Sequence, residues 1–261
     1  MKKNRTASKI SEIIFSSGIP LTALAGASNS ARNFFSSAPP LLLLIALAGW
    51  HIKTCNDMFE DKESAKKMKA GIIIPLLFLP IPIYLKPELA IPALLITLNW
   101  DIYSIMGKGI FPLSMINNLI GGALHFSLGL SAAGIDISRA LSRPETFFFA
   151  FAMLCGSMHH DSYDAEEDKI CGFKTGAVVF SSDFWWKLSV FPMIISVFFL
   201  LKTEKLFAVL FFAAAVIPYF LGYFSVLLLS KTPSKILPFR FLCRGIFGSA
   251  ALLYIFIKNL I

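Results

Sequence analysis

The residues best suited to chemistry lie in one short acidic segment near the middle of the chain. Five carboxylates follow a very apolar run there: Asp161, Asp164, Glu166, Glu167 and Asp168. If this segment is helical, Asp161, Asp164 and Asp168 share one face, because residues three, four and seven apart are neighbours on a helix. Like charges on one face repel, and a bound Mg²⁺ ion, which prefers oxygen ligands and often accompanies phosphates, relieves that repulsion. The alternative is a solvated helix end at a membrane surface, and the spacing alone does not separate the two.

Another acidic cluster lies earlier in the chain, in the stretch NDMFED. We call it the first acidic segment, and the cluster from Asp161 to Asp168 the second acidic segment. The first acidic segment supplies four oxygen-bearing side chains, those of Asn56, Asp57, Glu60 and Asp61, and on a helix Asp57, Glu60 and Asp61 face the same way. Several lysines surround them, so the alternative is a solvated loop balanced by salt bridges worth about 0–1 kcal/mol each. If both clusters lie at one membrane face, they could hold two Mg²⁺ ions across one diphosphate and stabilise a departing phosphate group.

The elements that must position these clusters are predicted to be membrane-spanning helices. Of the 261 residues, 56% are hydrophobic and 15% are charged, and the mean hydropathy is +0.70. A soluble domain cannot bury so much apolar surface, so the composition predicts an all-α polytopic membrane protein, with a single domain over residues 1–261. Since a helix needs about 20 residues to cross a bilayer, we predict nine transmembrane helices in one bundle. Their predicted ranges are 10–27, 39–54, 70–85, 89–105, 111–134, 145–160, 184–201, 205–230 and 241–257.

Two of these spans have compositions that predict unusual backbone packing. The span 70–85 contains Pro75, Pro80 and Pro82, so it should be kinked or partly unwound. The span 111–134 is rich in glycine and serine, which favours close approach of neighbouring helices.

The distribution of basic residues predicts an orientation. With the N-terminus in the cytoplasm, most of the 24 lysines and arginines fall on the cytoplasmic side, as the positive-inside rule requires. Both acidic clusters then lie on that side too. The basic, polar start MKKNRTASK is unlike a secretory signal, so the first apolar segment is expected to be retained as a helix.

Other polar residues have less specific interpretations. Asp101 interrupts an apolar run, where an ionisable group is costly, but near a helix end it could simply be interfacial. His159 and His160 are adjacent and would point about 100° apart on a helix, which favours a helix-end or interfacial role over a shared metal site. The four cysteines show no zinc-site spacing and are predicted to be reduced packing residues.

The second acidic segment resembles a motif of a known family, the UbiA superfamily of intramembrane prenyltransferases. Its pattern DxxDxExDxxxGxxT is filled by Asp161, Asp164, Glu166, Asp168, Gly172 and Thr175, with Lys174 at the family's basic position. Between helices four and five the family often has Tyr, Lys, Asn and Gly, which Tyr103, Lys108, Asn118 and Gly121 match. The resemblance covers nearly the whole chain and implies nine helices, with Asp-rich loops after the second and the sixth.

The first acidic segment departs from the family's first motif, NDxxDxxxD. Asn56 and Asp57 match it, Glu60 replaces the next aspartate, and Ser64 replaces the last. Asp61 is an additional acid one position further on. Glu60 can still bind a metal ion, because it differs from aspartate by one methylene.

The resemblance implies Mg²⁺-dependent transfer of a prenyl group from an isoprenoid diphosphate to an aromatic or hydroxyl-bearing acceptor within the bilayer. The implied catalytic residues are Asp164, Asp168 and Asp61. The implied metal ligands are Asn56, Asp57, Glu60, Asp61, Asp161, Asp164 and Asp168, and the implied diphosphate-binding residues are Lys108, Lys174, Lys62 and Tyr103. No nucleic-acid partner is expected.

Two alternatives stay open. The first is a UbiA-type terpene cyclase, in which the same ionisation is followed by ring closure. The second is a non-catalytic membrane protein such as a transporter, although transporters usually carry their charges near the bilayer midplane, whereas these acids cluster at predicted helix ends.

Overall fold

The computed structural model describes residues 19–60, 65–229 and 236–260, and within these ranges the chain is helical, without strands. The first described helix, α1, covers residues 19–27. The others are α2 (Ala31–Glu60), α3 (Ala65–Phe78), α4 (Pro80–Leu85), α5 (Ala90–Ile105), α6 (Leu113–Ala132), α7 (Ile137–Leu141), α8 (Pro144–Ile170), α9 (Gly176–Phe180), α10 (Ser182–Leu188), α11 (Val190–Leu200), α12 (Lys205–Phe211), α13 (Ile217–Leu229) and α14 (Ile236–Leu260). The all-α class is confirmed.

Four helical segments in the described ranges are long and apolar enough to cross a membrane. They are Asn33–Phe59, Ser182–Leu200, Lys205–Leu228 and Cys243–Leu260, and Ala70–Leu85 is a shorter apolar segment. The count of nine spans therefore stays a prediction, and the first span, 10–27, lies partly outside the described residues.

The proline-rich third span is interrupted, as expected. Helix α3 ends at Phe78 and α4 begins at Pro80, because a proline has no backbone N–H and its ring crowds the preceding turn. The helix that contains the predicted sixth span extends beyond it. Helix α8 continues past residue 160 to Ile170, so the second acidic segment is helix and not loop.

Helices α2, α6 and α8 alternate in direction. Near the start of α2, Ser37 donates a hydrogen bond to the carbonyl oxygen of Ala132, the last residue of α6 (2.7 Å). Near the end of α6, Ser127 lies beside Thr146 at the start of α8, with 3.5 Å between the hydroxyl oxygens. Helix α6 is therefore antiparallel to both α2 and α8. We call the end of the bundle where α2 and α8 finish and α6 begins the acidic end.

Glycine allows α6 to pack closely against its neighbours. A Cβ atom added to Gly122 would lie 2.8 Å from the Cα atom of Ala150 in α8, and one added to Gly121 would lie 2.6 Å from the Trp100 ring in α5. Real Cβ atoms do not approach this closely, so these crossings require glycine. The close packing expected from the composition of this span is confirmed.

Aromatic side chains fill the core around α8 and the C-terminal helices. Phe126, Phe148, Phe207, Phe211 and Tyr254 are fully buried and belong to one cluster. Neighbouring rings lie edge to face or stacked, with 4.4 Å between the centroids of Phe207 and Phe211. Burial of such rings contributes apolar area and favourable ring–ring geometry, which fixes α8 within the bundle.

At the end of the bundle opposite to the acidic end, an ionic contact joins the start of α12 to α14. Glu204, just before α12, accepts hydrogen bonds from Tyr254 (2.7 Å) and from Lys258 (2.9 and 3.0 Å) of α14. Partial burial opposes ionisation of Glu204, but the hydrogen bonds from Tyr254 and Lys258 outweigh it and lower the pKa of this carboxyl below its ordinary value. Its ionised form therefore stabilises the fold.

Glu204→Gln is expected to lower stability at neutral pH by about 1 kcal/mol or less, since half-exposed ion pairs are screened by solvent. A carboxyl with a lowered folded-state pKa contributes stability above its ordinary pKa and loses it as the pH falls through the folded value. The difference in melting temperature between wild type and variant should thus be present at pH 7 and shrink as the pH falls below about 4.3, the ordinary pKa of a glutamate, towards the lowered folded-state value. Glu88→Gln, at an exposed acid, is the matched control. A difference that persists unchanged in acid would contradict the assignment.

Candidate active site

The second acidic segment occupies the last three turns of α8 and presents two unlike faces. Asp161 is buried (8% exposed), whereas Asp164 and Asp168 are half-buried and Glu166 and Glu167 are exposed. The inward residues are those spaced at i, i+3 and i+7, as a helix requires. Three carboxylates thus lie along one inward strip, and the remaining two acids face outward.

The turn after α8 explains the glycine and the threonine that follow the acids. Gly172 has a φ of +78°, a conformation that glycine adopts without strain. It allows the N–H groups of Gly172 and Phe173 to donate to the carbonyls of Lys169 (3.2 Å) and Asp168 (2.8 Å), the Schellman arrangement that ends many helices. The chain then turns back, and the Thr175 hydroxyl donates to Oδ2 of Asp168 (3.2 Å). This hydrogen bond orients the Asp168 carboxylate.

The first acidic segment forms the end of α2. Asn56 and Asp57 are half-buried in the last turns of this helix, and Lys53, one turn earlier, pairs with Asp57 (3.0 Å). This pair is the local salt bridge expected for a solvated cluster. The negative charge of the Asp57 carboxylate is therefore partly balanced by the Lys53 ammonium group. The Glu60 side chain, Asp61 and Lys62 lie outside the described residues.

Both acidic segments finish at the acidic end of the bundle. This follows from the alternating directions of α2, α6 and α8, and contacts near the start of α6 agree with it. Asn99 and Asn117 exchange amide-to-carbonyl hydrogen bonds between α5 and α6 (3.0 and 2.8 Å). Phe111, just before α6, packs edge to face on Trp185 of α10. The α5–α6 connection thus lies beside the elements that follow the second acidic segment.

A cavity of about 160 Å³ lies between α1, α6, α8, α11, α13 and α14. Its apolar wall includes Gly122, Phe149, Gly156, Met193, Tyr219 and Phe247. His160 also lines it, and Nδ1 of His160 lies 2.6 Å from Oδ2 of Asp164. One inward carboxylate is therefore linked directly to the cavity wall.

Several polar side chains lie within or beside this apolar wall, and most of them are held by hydrogen bonds. The Ser189 hydroxyl donates to the Trp186 carbonyl (2.6 Å), so the His159 ring N–H must be the donor to Ser189 across their 2.8 Å contact. The Cys155 thiol and the Tyr219 hydroxyl lie 3.2 Å apart, and Arg244 of α14 also borders the cavity. Arg244 therefore brings a positive charge to a largely apolar wall.

The predicted diphosphate-binding residues are distributed around the same end. Tyr103 lies in the last turn of α5 and packs edge to face on Trp100 (5.4 Å between centroids). Lys108 lies in the short turn Gly107–Gly109, and its side chain is not described. Lys174 is exposed in the turn that caps α8. Of the two whose side chains the structure describes, Tyr103 and Lys174, neither lies among the residues that line the cavity.

Comparison with solved structures identifies the architecture. A UbiA homologue from Archaeoglobus fulgidus, solved with GPP and Mg²⁺, aligns over 96% of this chain and 98% of its own, with a TM-score of 0.72 and 17% identity. The same homologue with DMAPP and Mg²⁺ gives a TM-score of 0.68 and 18% identity, over 96% of this chain and 97% of its own. The chain has the UbiA fold. A structure reported for digeranylgeranylglyceryl phosphate synthase covers the full length of both chains, with a TM-score of 0.66 and 15% identity. Neither a protein-family profile nor a curated protein sequence matches the chain.

The expected resemblance to the UbiA superfamily is thus confirmed at the level of fold. The sequence missed the polar groups of the cavity, because His159, Tyr219 and Arg244 come from three distant helices. The only local signal was the pair Cys155 and His159, four residues apart and therefore on one helix face. The two histidines do not lie at the end of the helix, because α8 continues to Ile170. His159 is buried beside Ser189 and His160 borders the cavity, and an interfacial role stays a prediction.

Proposed function

We propose that this protein is a Mg²⁺-dependent intramembrane prenyltransferase that uses an isoprenoid diphosphate as donor. The observation that carries the proposal is that two acidic helices, α2 and α8, finish at the same end of the bundle and that α8 also borders a largely apolar cavity. The solved structures that share the fold include a homologue with GPP or DMAPP and Mg²⁺ bound, which supports the same class of ligand here.

The inward residues of both segments suit Mg²⁺ by their chemistry. Asp161, Asp164 and Asp168 offer only oxygen donors from one helix face, and Asn56 and Asp57 add an amide oxygen and a carboxylate, the ligand types that Mg²⁺ prefers. We assign Glu60 and Asp61 to the same set by sequence. When bound, Mg²⁺ neutralises charge on a diphosphate and so makes it a better leaving group.

Other side chains of the protein are assigned to binding the diphosphate and to orienting the carboxylates. Tyr103, Lys108, Lys174 and Lys62 are assigned to the phosphate oxygens, where ammonium groups neutralise charge and a hydroxyl donates a hydrogen bond. The Thr175 hydroxyl holds the Asp168 carboxylate in place. Arg244 places a further positive charge at the cavity wall, suited to the diphosphate or to an acidic acceptor.

The reaction breaks the allylic C–O bond, and the electron pair leaves with the diphosphate. The faces of nearby aromatic rings stabilise the resulting allylic cation. The rings available at the cavity wall are those of Phe149, Tyr219 and Phe247. An aromatic carbon or a hydroxyl oxygen of the acceptor then bonds to the cation and loses a proton. Exclusion of water by the apolar wall protects the cation from hydrolysis.

We propose that the protein acts as a single integral membrane domain, with its N-terminus and both acidic segments on the cytoplasmic side. The prenyl chain would lie among the helices, which accounts for the membrane location of the enzyme. The four long apolar segments support integration into a bilayer.

Purified protein in lipid nanodiscs is expected to consume a prenyl diphosphate only when Mg²⁺ is present. The assay measures diphosphate release and product mass with geranyl, farnesyl and geranylgeranyl diphosphates, each with a phenolic acid, a quinone precursor or a prenylglycerol phosphate. Addition of EDTA should abolish turnover, and excess Mg²⁺ should restore it, since the carboxylate sites need the metal to hold the diphosphate. A prenylated acceptor confirms transfer, and diphosphate release with a cyclic hydrocarbon in the absence of acceptor identifies a cyclase instead. Failure of every donor to bind in the presence of Mg²⁺ would indicate a non-catalytic protein.

A further inference from the structure

A second cluster of ligand-type side chains lies between α2 and α5, apart from the carboxylates assigned to Mg²⁺. The Nε2 atom of His51 lies 3.1 and 3.3 Å from the two carboxylate oxygens of Asp101 and 3.6 Å from the sulfur of Cys55. The three ligand atoms all lie within 4.8 Å of one another. His51 and Cys55 are buried, and Asp101 is half-buried.

The hydrogen bond at the other ring nitrogen fixes which atom of His51 faces the cluster. Nδ1 lies 3.0 Å from the carbonyl oxygen of Ile72 in α3, and a carbonyl oxygen can only accept, so Nδ1 carries the hydrogen. In a neutral ring Nε2 then presents a lone pair to Asp101, an ionisable acceptor. Two acceptors at 3.1 Å require a cation or an additional proton between them, whether that proton is carried by the ring or by the carboxyl group. A backbone carbonyl that orients a histidine in this way is the usual partner of a metal-binding imidazole.

The separations of the ligand atoms match those around a small tetrahedral ion. Zinc binds sulfur at about 2.3 Å and imidazole nitrogen or carboxylate oxygen at about 2.0–2.1 Å. Tetrahedral angles then place the sulfur about 3.6 Å from the nitrogen, and the nitrogen about 3.3 Å from the oxygen. The observed distances of 3.6 Å and of 3.1–3.3 Å agree with both values. The sulfur of Cys55 and a carboxylate oxygen of Asp101 lie within 4.8 Å of each other.

We propose that His51, Cys55 and Asp101 form a binding site for Zn²⁺. The thiolate and the imidazole favour a borderline-soft ion over Mg²⁺, which prefers oxygen ligands alone. Three protein ligands leave a fourth position for water. The ion would join α2 to α5, and His51 would extend the connection to α3 through Ile72. The site therefore braces the helix that ends in the first acidic segment, and it exists independently of the proposed transfer reaction.

Metal analysis tests this site without any turnover assay. The protein, equilibrated with Zn²⁺ in the presence of excess Mg²⁺ and then desalted, is expected to retain one Zn²⁺ per chain. Co²⁺ in place of Zn²⁺ should give the sulfur-to-metal charge-transfer band and the intense visible bands of tetrahedral thiolate ligation. Cys55→Ser and His51→Gln should each weaken binding at least about 100-fold, since even residues behind the ligands typically cost 10- to 100-fold. Asp101→Asn should also lose the bound ion.

Matched variants separate this site from adventitious binding. Cys171→Ser, at the exposed cysteine, and His125→Gln, at a histidine of α6 outside the cluster, should keep the bound ion and the cobalt spectrum. Zn²⁺ should raise the melting temperature of the wild-type protein and of these controls, but not that of Cys55→Ser. Zinc retention that Cys55→Ser and His51→Gln both leave unchanged would overturn the proposal. So would the absence of retained zinc in the wild type, which would assign an additional proton to the ring of His51 or to the carboxyl group of Asp101.

Discussion

Asp168→Asn and Asp164→Asn are each expected to reduce turnover of a prenyl diphosphate by about 100- to 1000-fold, the loss typical when one group that stabilises developing charge is removed. Both residues lie on the inward strip of α8, and Asp168 is held by Thr175 at 3.2 Å. An asparagine keeps the shape of the side chain but removes the negative charge that would hold Mg²⁺. The measurement is initial-rate diphosphate release with the best donor–acceptor pair, over a range of Mg²⁺ concentrations.

Glu167→Gln is the matched control for these two variants. It removes one negative charge from the same turns of α8, but from the exposed face, so turnover should stay within about twofold of wild type, as for surface positions away from a site. If both aspartate variants retain wild-type turnover and Mg²⁺ dependence, the inward strip has no part in the reaction. If Glu167→Gln is as damaging as they are, the net charge of the helix end matters and the assigned face does not.

The sequence was sufficient to predict much of this site because the relevant residues are close together along one helix. The spacing of Asp161, Asp164 and Asp168 defines a common face whenever the segment is helical, and α8 does continue through it. Gly172 and Thr175 are equally local, since a helix-ending turn and one hydrogen bond account for both. The composition was sufficient to predict the all-α class. The prolines of the third predicted span were sufficient to predict that its helix is interrupted.

What the sequence could not supply was the set of contacts between distant helices. Asp101 was interpreted as a possible interfacial residue and His51 had no assigned role, yet the two lie 3.1 Å apart because α2 and α5 pack side by side. The cavity presents the same difficulty, since His159, Tyr219 and Arg244 meet only after α8, α13 and α14 have packed. The acidic segment that follows the predicted sixth span was expected to be a loop but is helical, because its acidic turns lower the hydropathy that marks a span while leaving helix formation intact.

Gly156→Leu is expected to impair the use of long prenyl diphosphates while leaving the fold intact. Gly156 borders the cavity, and a Cβ atom added there would meet no heavy atom within 4 Å. The leucine side chain would therefore enter free space of about 160 Å³ without displacing the helices. Because it would occupy volume that we assign to the prenyl chain, kcat/KM for geranylgeranyl diphosphate should fall by at least about tenfold, the scale set by one misfitting group in an apolar pocket. The loss should shrink with farnesyl and again with geranyl diphosphate, so that donor preference shifts to shorter chains.

Gly245→Leu provides the matched control for this change in donor preference. Gly245 in α14 is exposed, does not border the cavity, and likewise has open space where a Cβ atom would lie. The free energies of unfolding of the two variants should lie within about 1 kcal/mol of the wild-type value, since neither substitution creates an overlap in the core. Only Gly156→Leu should change the preference among donors. An equal loss with all three donors would place the cavity on the acceptor side of the reaction. An unchanged profile, with the variant folded, would show that the prenyl chain binds outside this cavity.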